Sequence, residues 1–325
     1  MAVRLARVAD GDPAGRQATT PQPPRWTCAL VNNMPDSAFE ATERQYLDLL
    51  DAASGSEAVE VTLHTLAGVP RGERAAAPIA ERYSSLEERW SSPPDLLIVT
   101  GSNPLEPQIE DEPYWAELVE LLTWGTEQVS SMLLSCLAAH AALTVFDGLS
   151  RERLSAKCTG VFPQRADPDH PLVADLGGSI VLPHSRLNTV PIDAVVSAGY
   201  RVALQSDVVG WSVGTKDVGR SRVVVVQGHP EYDPSSLLRE YHRDARRYLH
   251  LERDDLPCLP LDCVASEDRD RLSELQRRIV GGERDPALIE DIPFDQMGER
   301  APWPWRGVAI GLYTNWMAGV PDRSE

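Results

Sequence analysis

Apolar residues come along this chain in short blocks separated by turn residues, and the period inside each block predicts its structure. Residues 27–31 form an apolar run that stops at Asn32-Asn33-Met34-Pro35, after which Phe39, Tyr46, Leu47, Leu49 and Leu50 recur at helical spacing. The block reads as strand, loop, helix. Residues 59–66 alternate as a strand does, residues 75–90 read as helix or loop, and Pro94-Asp95 opens a buried strand over 96–100 that Gly101 breaks. Residues 113–126 have the pattern of an amphipathic helix, and the apolar run 129–135 then delivers Cys136 into the helix formers of 137–145. Short buried strands alternating with helices predict an α/β fold, a mainly parallel sheet flanked by helices, whose sites gather at the carboxyl ends of the strands.

From 158 to 211 the blocks shorten and suggest antiparallel strands: 180–182, ending at Pro183-His184-Ser185-Arg186, then 202–205 and 210–213. Residues 222–227 are a strongly apolar strand ending at Gly228-His229-Pro230-Glu231, and 235–250 reads as a charged helix behind Pro234. The pattern divides the chain into a mobile leader (1–25), a main domain (26–250), a helical and loop insertion (251–302, with an Asp/Arg-rich helix over 267–280) and an aromatic C-terminal segment (303–325) rejoining the main body.

With 325 residues, 42% of them hydrophobic, the chain can bury the core of one large α/β domain and its appendage. Its 31 basic against 49 acidic residues give a net charge of −18, which repels phosphate backbones and anionic lipid, so nucleic-acid and membrane partners are not expected. No apolar run is long enough to span a bilayer and the first twenty residues have no signal-peptide centre, so the cytoplasm is the expected location. Five cysteines without a Cys-x-x-Cys pair indicate neither a disulfide framework nor a structural zinc site.

Cys136 is the residue this placement singles out. Where a buried strand turns into a helix, a sulfur stands clear of the turn near the positive helix N-terminus, and backbone N–H groups, beginning with that of Leu137, face an oxyanion on an attacked carbonyl. A buried structural cysteine is an equally good reading of this junction alone. His229 and Glu231, two apart at another strand end, suit a base and the carboxylate that orients it; a solvated pair or metal ligands are the alternatives, and no further ligand completes a metal shell.

Taken together, Cys136 and Gly228-His229-Pro230-Glu231 resemble the triad layout of the class I glutamine amidotransferase-like (flavodoxin-like) fold, and within it the homoserine O-acyltransferase (trans-succinylase) family. The resemblance runs from about residue 32 to 247 and resumes at Asn315-Trp316. It is carried by Asn33-Met34-Pro35, Thr100-Gly101, Pro113-Tyr114-Trp115, Ala141-Ala142-Leu143, Gly160-Val161-Phe162, Asp167 to Leu172, Pro183-His184-Ser185-Arg186 and the run from His229 through Arg239-Glu240-Tyr241 to Arg243-Asp244. It implies ping-pong transfer of an acetyl or succinyl group from acyl-coenzyme A, a co-substrate with no bound cofactor, through a Cys136 thioester to homoserine or a related amino acid. His229 is then the base, Glu231 its orienter, Arg243 the receptor of the acceptor's carboxylate, and Lys157 and Ser185 further substrate contacts. A homodimer is the family's implied assembly.

The chain departs from the family at three places. Cys136-Leu137-Ala138-Ala139-His140 replaces Cys-Trp-Gly-Ala-Gln, and Asp36-Ser37 stands where a lysine pair helps polarise the acyl carbonyl. The loop after Gly101, Ser102-Asn103-Pro104-Leu105-Glu106, carries one extra residue. In the family a Glu near the end of that loop accompanies acetyl transfer and a Gly succinyl transfer; Glu106 implies acetyl, with Leu105 the other occupant of that position. A glutaminase or other amide or thioester hydrolase using the same triad, and a degenerate binding protein, are the two rival readings.

Overall fold

Four of the apolar runs are buried along almost their whole length because they lie in the middle of a sheet covered on both faces. The computed structural model describes residues 2–6, 23–84, 86 and 92–321. In chain order the elements are β1 (Val3–Leu5), β2 (Trp26–Val31), α1 (Phe39–Ser54), β3 (Val59–His64), α2 (Glu73–Arg82), β4 (Leu96–Val99), α3 (Trp115–Gln128), β5 (Ser131–Ser135) and α4 (Leu137–Asp147). There follow β6 (Glu152–Pro163), β7 (Arg165–Ala166), β8 (Val181–Thr189), α5 (Ile192–Ser197), β9 (Arg201–Ser206), β10 (Gly210–Val218) and β11 (Ser221–Val226). The helices α6 (Ser236–Leu249), α7 (Ser266–Val280), α8 (Ala287–Glu290), α9 (Phe294–Glu299) and α10 (Arg306–Ala318) complete the chain.

The main sheet runs β1-β3-β2-β4-β5-β11-β10-β9-β7. Pairing is parallel from β1 to β11 and antiparallel from β11 to β7, so the expected mainly parallel α/β architecture is the one observed. Successive strand side chains separate to opposite faces. Leu30, Leu96, Ile98, Leu133, Val224 and Val226 pack with α1, α6, α7 and α10, while Ala29, Val31, Leu97, Val99, Met132, Leu134, Val223 and Val225 pack with α3 and α4. α10 is tied to α1 and β5: Thr314 Oγ1 donates to Ala53 O of α1 (2.9 Å) and Trp316 Nε1 to Ser131 Oγ of β5 (2.8 Å).

Two readings of the sequence need correction. Val3–Leu5, inside the stretch read as a mobile leader, pairs in parallel with β3, and Asp51 accepts hydrogen bonds from the amides of Ala2 and Val3; residues 7–22 of that leader lie outside the described residues. The Pro-His-Ser-Arg motif does not end a strand but lies within β8. Pro183 is tolerated there because β8 has one strand partner, β6, and needs no second row of amide donors.

The segment around Leu261 is anchored through Gly160, whose φ of +142° is open to glycine alone. Val161 N–H donates to Leu261 O (2.9 Å) and Leu261 N–H to Thr159 O (3.2 Å), and a Cβ on residue 160 would stand 2.7 Å from the Leu261 backbone nitrogen. Gly160→Ala is expected to cost about 1–3 kcal/mol in denaturant unfolding; an unchanged midpoint would mean that this contact does not hold the segment.

Candidate active site

The strand register brings the sequence-predicted triad together. Val31 pairs with Val99, Val99 with Leu134, and Ser135 with Val226, so β2, β4, β5 and β11 end side by side and the residues that follow share one rim. Cys136 N–H donates to Val226 O at 2.7 Å, one rung beyond the ladder, and His229 N–H donates to Pro183 O of β8 at 2.8 Å. These two bonds seat Cys136 and His229 at the same rim of the sheet.

Cys136 itself has φ 51° and ψ −108°, a conformation that a side-chain-bearing residue adopts only under strain, and α4 begins at the next residue. Strain at a sharp strand-to-helix turn is how a side chain is presented clear of the backbone. Gly101 sits against this turn: a Cβ there would lie 3.2 Å from Cys136 Cβ and 3.4 Å from Leu137 N. The amide of Leu137 opens α4 beside the sulfur, as an oxyanion donor requires. Ala138, in place of the family's glycine, lies inside α4 and has no positive φ, so the elbow does not need glycine there. His140 is structural: Nε2 lies 3.0 Å from Gln227 Oε1, and burial pushes its pKa down to about 4.

His229 Nδ1 lies 2.8 Å from Glu231 Oε1, and the ring stacks on Tyr232 with centroids 4.3 Å apart. Burial disfavours the imidazolium, but the Glu231 carboxylate and the Cys136 sulfur outweigh it and hold His229 well above its ordinary pKa. Its Nε2 is buried without a hydrogen-bond partner among the described residues, so this nitrogen is free to exchange a proton with the sulfur or a substrate. Behind Glu231 stand the phenols of Tyr46 on α1 and Tyr313 on α10, kept neutral by burial and by the carboxylate's charge.

The other expected substrate contacts gather around Glu240, which the sequence shows only as part of the Arg239-Glu240-Tyr241 run. Lys157 Nζ donates to Glu240 Oε2 (2.9 Å) and Asp244 Oδ2 (3.2 Å), the Ser185 hydroxyl also donates to Glu240, and Tyr232 OH donates to Glu240 Oε1 (2.6 Å). Arg243 pairs with Asp244 at 2.9 Å. Lys157, Ser185 and Arg243 thus meet on one face of α6, beside His229 through Tyr232. The spacing of Glu240, Arg243 and Asp244 at i, i+3 and i+4 was the available signal. Glu106, by contrast, is exposed and outside this cluster: its amide and that of Leu105 donate to Glu112 Oε1 (3.2 and 2.9 Å). Asp36, at the family's lysine position, accepts from the Gly72 and Ala75 amides at the start of α2 and supplies no cation.

Burial raises the pKa of Glu240, but Lys157 and the Ser185 and Tyr232 hydroxyls prevail and lower it to about 2. A depressed carboxyl stabilises the fold above its ordinary value of 4.5, and that stabilisation is lost as pH falls from there toward about 2. The wild-type melting temperature is expected to drop through this window more steeply than that of Glu240→Gln; parallel curves would contradict the assignment. Relief of the turn strain is expected to make Cys136→Gly about 1 kcal/mol more stable than Cys136→Ala in urea unfolding, whereas equal stability would argue against strain.

The homoserine O-succinyltransferase family model matches residues 11–322. A homoserine O-succinyltransferase of Rhodopseudomonas palustris is 39% identical over 291 residues, covering 90% of this chain and 87% of that protein. One from Bradyrhizobium japonicum is 37% identical over 312 residues, covering 95% and 94%. Among solved structures, a glutamine amidotransferase from Methylobacillus flagellatus is similar with TM-score 0.49 at 12% identity, covering 92% of this chain and 96% of its own. A glutamine amidotransferase from Thermotoga maritima is similar with TM-score 0.44 at 14% identity, covering 90% and 97%. With the family model spanning nearly its whole length and relatives well above 30% identity, the chain belongs to the homoserine O-succinyltransferase family of acyltransferases.

Proposed function

We propose that the chain is a cytoplasmic acyl-coenzyme A dependent O-acyltransferase of methionine biosynthesis, moving an acetyl or succinyl group through a Cys136 thioester to the hydroxyl of homoserine or a related amino acid. The observation that carries this reading is the strained turn at Cys136 beside a His229-Glu231 couple with a free Nε2. The relatives' names, homoserine O-succinyltransferase, support the acceptor.

In the first half-reaction the Cys136 sulfur attacks the thioester carbonyl, its proton passing to His229 Nε2. The carbonyl oxygen becomes an oxyanion facing the Leu137 amide, and collapse expels the coenzyme A sulfur, which leaves with the proton. In the second, His229 Nε2 removes the proton of the acceptor hydroxyl as its oxygen attacks the acyl-Cys136 carbonyl, and the Cys136 sulfur departs. Glu231 keeps Nδ1 protonated throughout, leaving Nε2 as the working nitrogen. Arg243 receives the acceptor's carboxylate, which requires its guanidinium to turn from Asp244; its side chain, 38% exposed, has room to do so. Lys157 and Ser185, ordered by Glu240, bound the acceptor site.

Incubation with acetyl- or succinyl-coenzyme A is expected to add the acyl mass to the intact protein, and Cys136→Ala to abolish the adduct. His229→Asn is expected to slow acylation about 10²- to 10⁴-fold, and Glu231→Gln by a smaller factor. If neither donor labels the wild type, the transferase reading fails; if the adduct forms and homoserine does not discharge it, the acceptor is wrong.

A further inference from the structure

The four residues His229-Pro230-Glu231-Tyr232 fold back on themselves. Tyr232 N–H donates to His229 O (3.1 Å) across a turn with proline in its second position, where the fixed φ of proline suits a β-turn. The turn brings the Glu231 carboxylate to His229 Nδ1 (2.8 Å) and lays the Tyr232 ring against the imidazole, with centroids 4.3 Å apart and planes 19° from parallel. A hydrogen bond at Nδ1 fixes one atom of an imidazole but leaves the ring free to swing about it, and Nε2 of His229 has no partner among the described residues to stop the swing. A flat aromatic face in contact with the imidazole does stop it. The constraint matters because a misplacement of about 1 Å at a reacting group can cost about 100-fold in rate.

Tyr232 is itself held at both ends. Its backbone oxygen accepts from Nε1 of Trp305 (2.9 Å), a fully buried side chain just before α10, and its hydroxyl donates to Glu240 Oε1 (2.6 Å). Burial and the Glu240 charge keep the phenol protonated, and Glu240 is ionised, so the phenol is the donor and the carboxylate the acceptor. The other oxygen of the same carboxylate, Oε2, accepts from Lys157 Nζ (2.9 Å) and from the Ser185 hydroxyl. One carboxylate thus joins the expected acceptor contacts to the ring that lies on the base, and every link is a hydrogen bond or a ring contact.

We propose that Tyr232 is a positioning residue with two separable parts: its ring fixes the plane of the His229 imidazole, and its hydroxyl ties that ring, through Glu240, to the Lys157 and Ser185 side of the site. The first part rests on His229 acting as the base of Cys136, and the second rests on the acyl-transfer reading. Tyr232 exchanges no proton with a substrate; it acts through His229 and Glu240. Removing the ring frees the base in any reaction of Cys136. Removing the hydroxyl alone leaves the stack in place but takes one of its three donors from Glu240, so the loss falls on the step that uses the acceptor.

Two rates on the full chain test this: alkylation of Cys136 by iodoacetamide, read on the Cys136 peptide by mass spectrometry, and discharge of acyl-Cys136 by homoserine. Alkylation needs no acyl donor and reports only the sulfur and its base. Tyr232→Leu is expected to slow it about tenfold, and Tyr232→Phe, which restores a flat ring, to recover most of that rate. In a His229→Asn background Tyr232→Leu is expected to add nothing, because no base is left to position, whereas a merely structural loss would persist. Alkylation at the wild-type rate in folded Tyr232→Leu, no recovery in Tyr232→Phe, or a full additional loss in the His229→Asn background overturns the role of the ring. Discharge in Tyr232→Phe is expected to need about tenfold more homoserine for its half-maximal rate, a loss that disappears in a Glu240→Gln background; an unchanged requirement overturns the role of the hydroxyl. Should Tyr232→Leu fail to fold, Tyr232→Phe decides both parts, since slowed alkylation or unchanged discharge in that variant contradicts them. If no acyl-coenzyme A labels the wild type, the transferase reading fails and the role of the hydroxyl falls with it, while the alkylation rates still decide the role of the ring.

Discussion

The hydrogen bond from the Cys136 amide to the Val226 carbonyl is the contact on which the site depends. It extends the parallel pairing of β5 and β11 by one rung, so the chain leaves β5 in register with the strand that delivers His229. A single such bond contributes about 1 kcal/mol net, and its importance is geometric: it fixes where the turn begins, and φ must then become positive for α4 to start at Leu137. The strain at Cys136 is sustained by the rungs beneath it, buried on both faces, which a local relaxation of the turn would have to break.

Elements whose structure follows from local pattern were legible in the sequence. The buried runs, the helix after Cys136 and the strand end at His229 declare themselves by period and by glycine, because a parallel strand covered on both faces must be apolar throughout. Features that depend on a distant partner were not legible. Val3–Leu5 is a strand only because β3 lies beside it, and β8 runs through Pro183 only because its outer edge needs no donors. Arg151 and Arg186 look like ordinary surface arginines in the sequence, whereas the fold leaves the Nε of each buried without a partner among the described residues. Glu240 lies within a legible helix, but its role depends on β6 and β8 bringing Lys157 and Ser185 to it.

The electrostatics divide the site in two. On the α6 side, Glu240 and Asp244 hold Lys157, Arg243 and Arg253 in a network rich in acceptors, suited to an amino acid carrying both charges. Arg151, after α4, and Arg186, on β8, leave buried donors without partners among the described residues.

A covalent carrier at Cys136 requires that the thioester be a step of the reaction and not a side product. Rapid-quench single turnover with acyl-coenzyme A, followed by a homoserine chase, measures this directly. The predicted result is a thioester on the Cys136 peptide that forms and is discharged at least as fast as overall turnover; acylated product that appears before the thioester, or without it, would contradict the covalent role of Cys136.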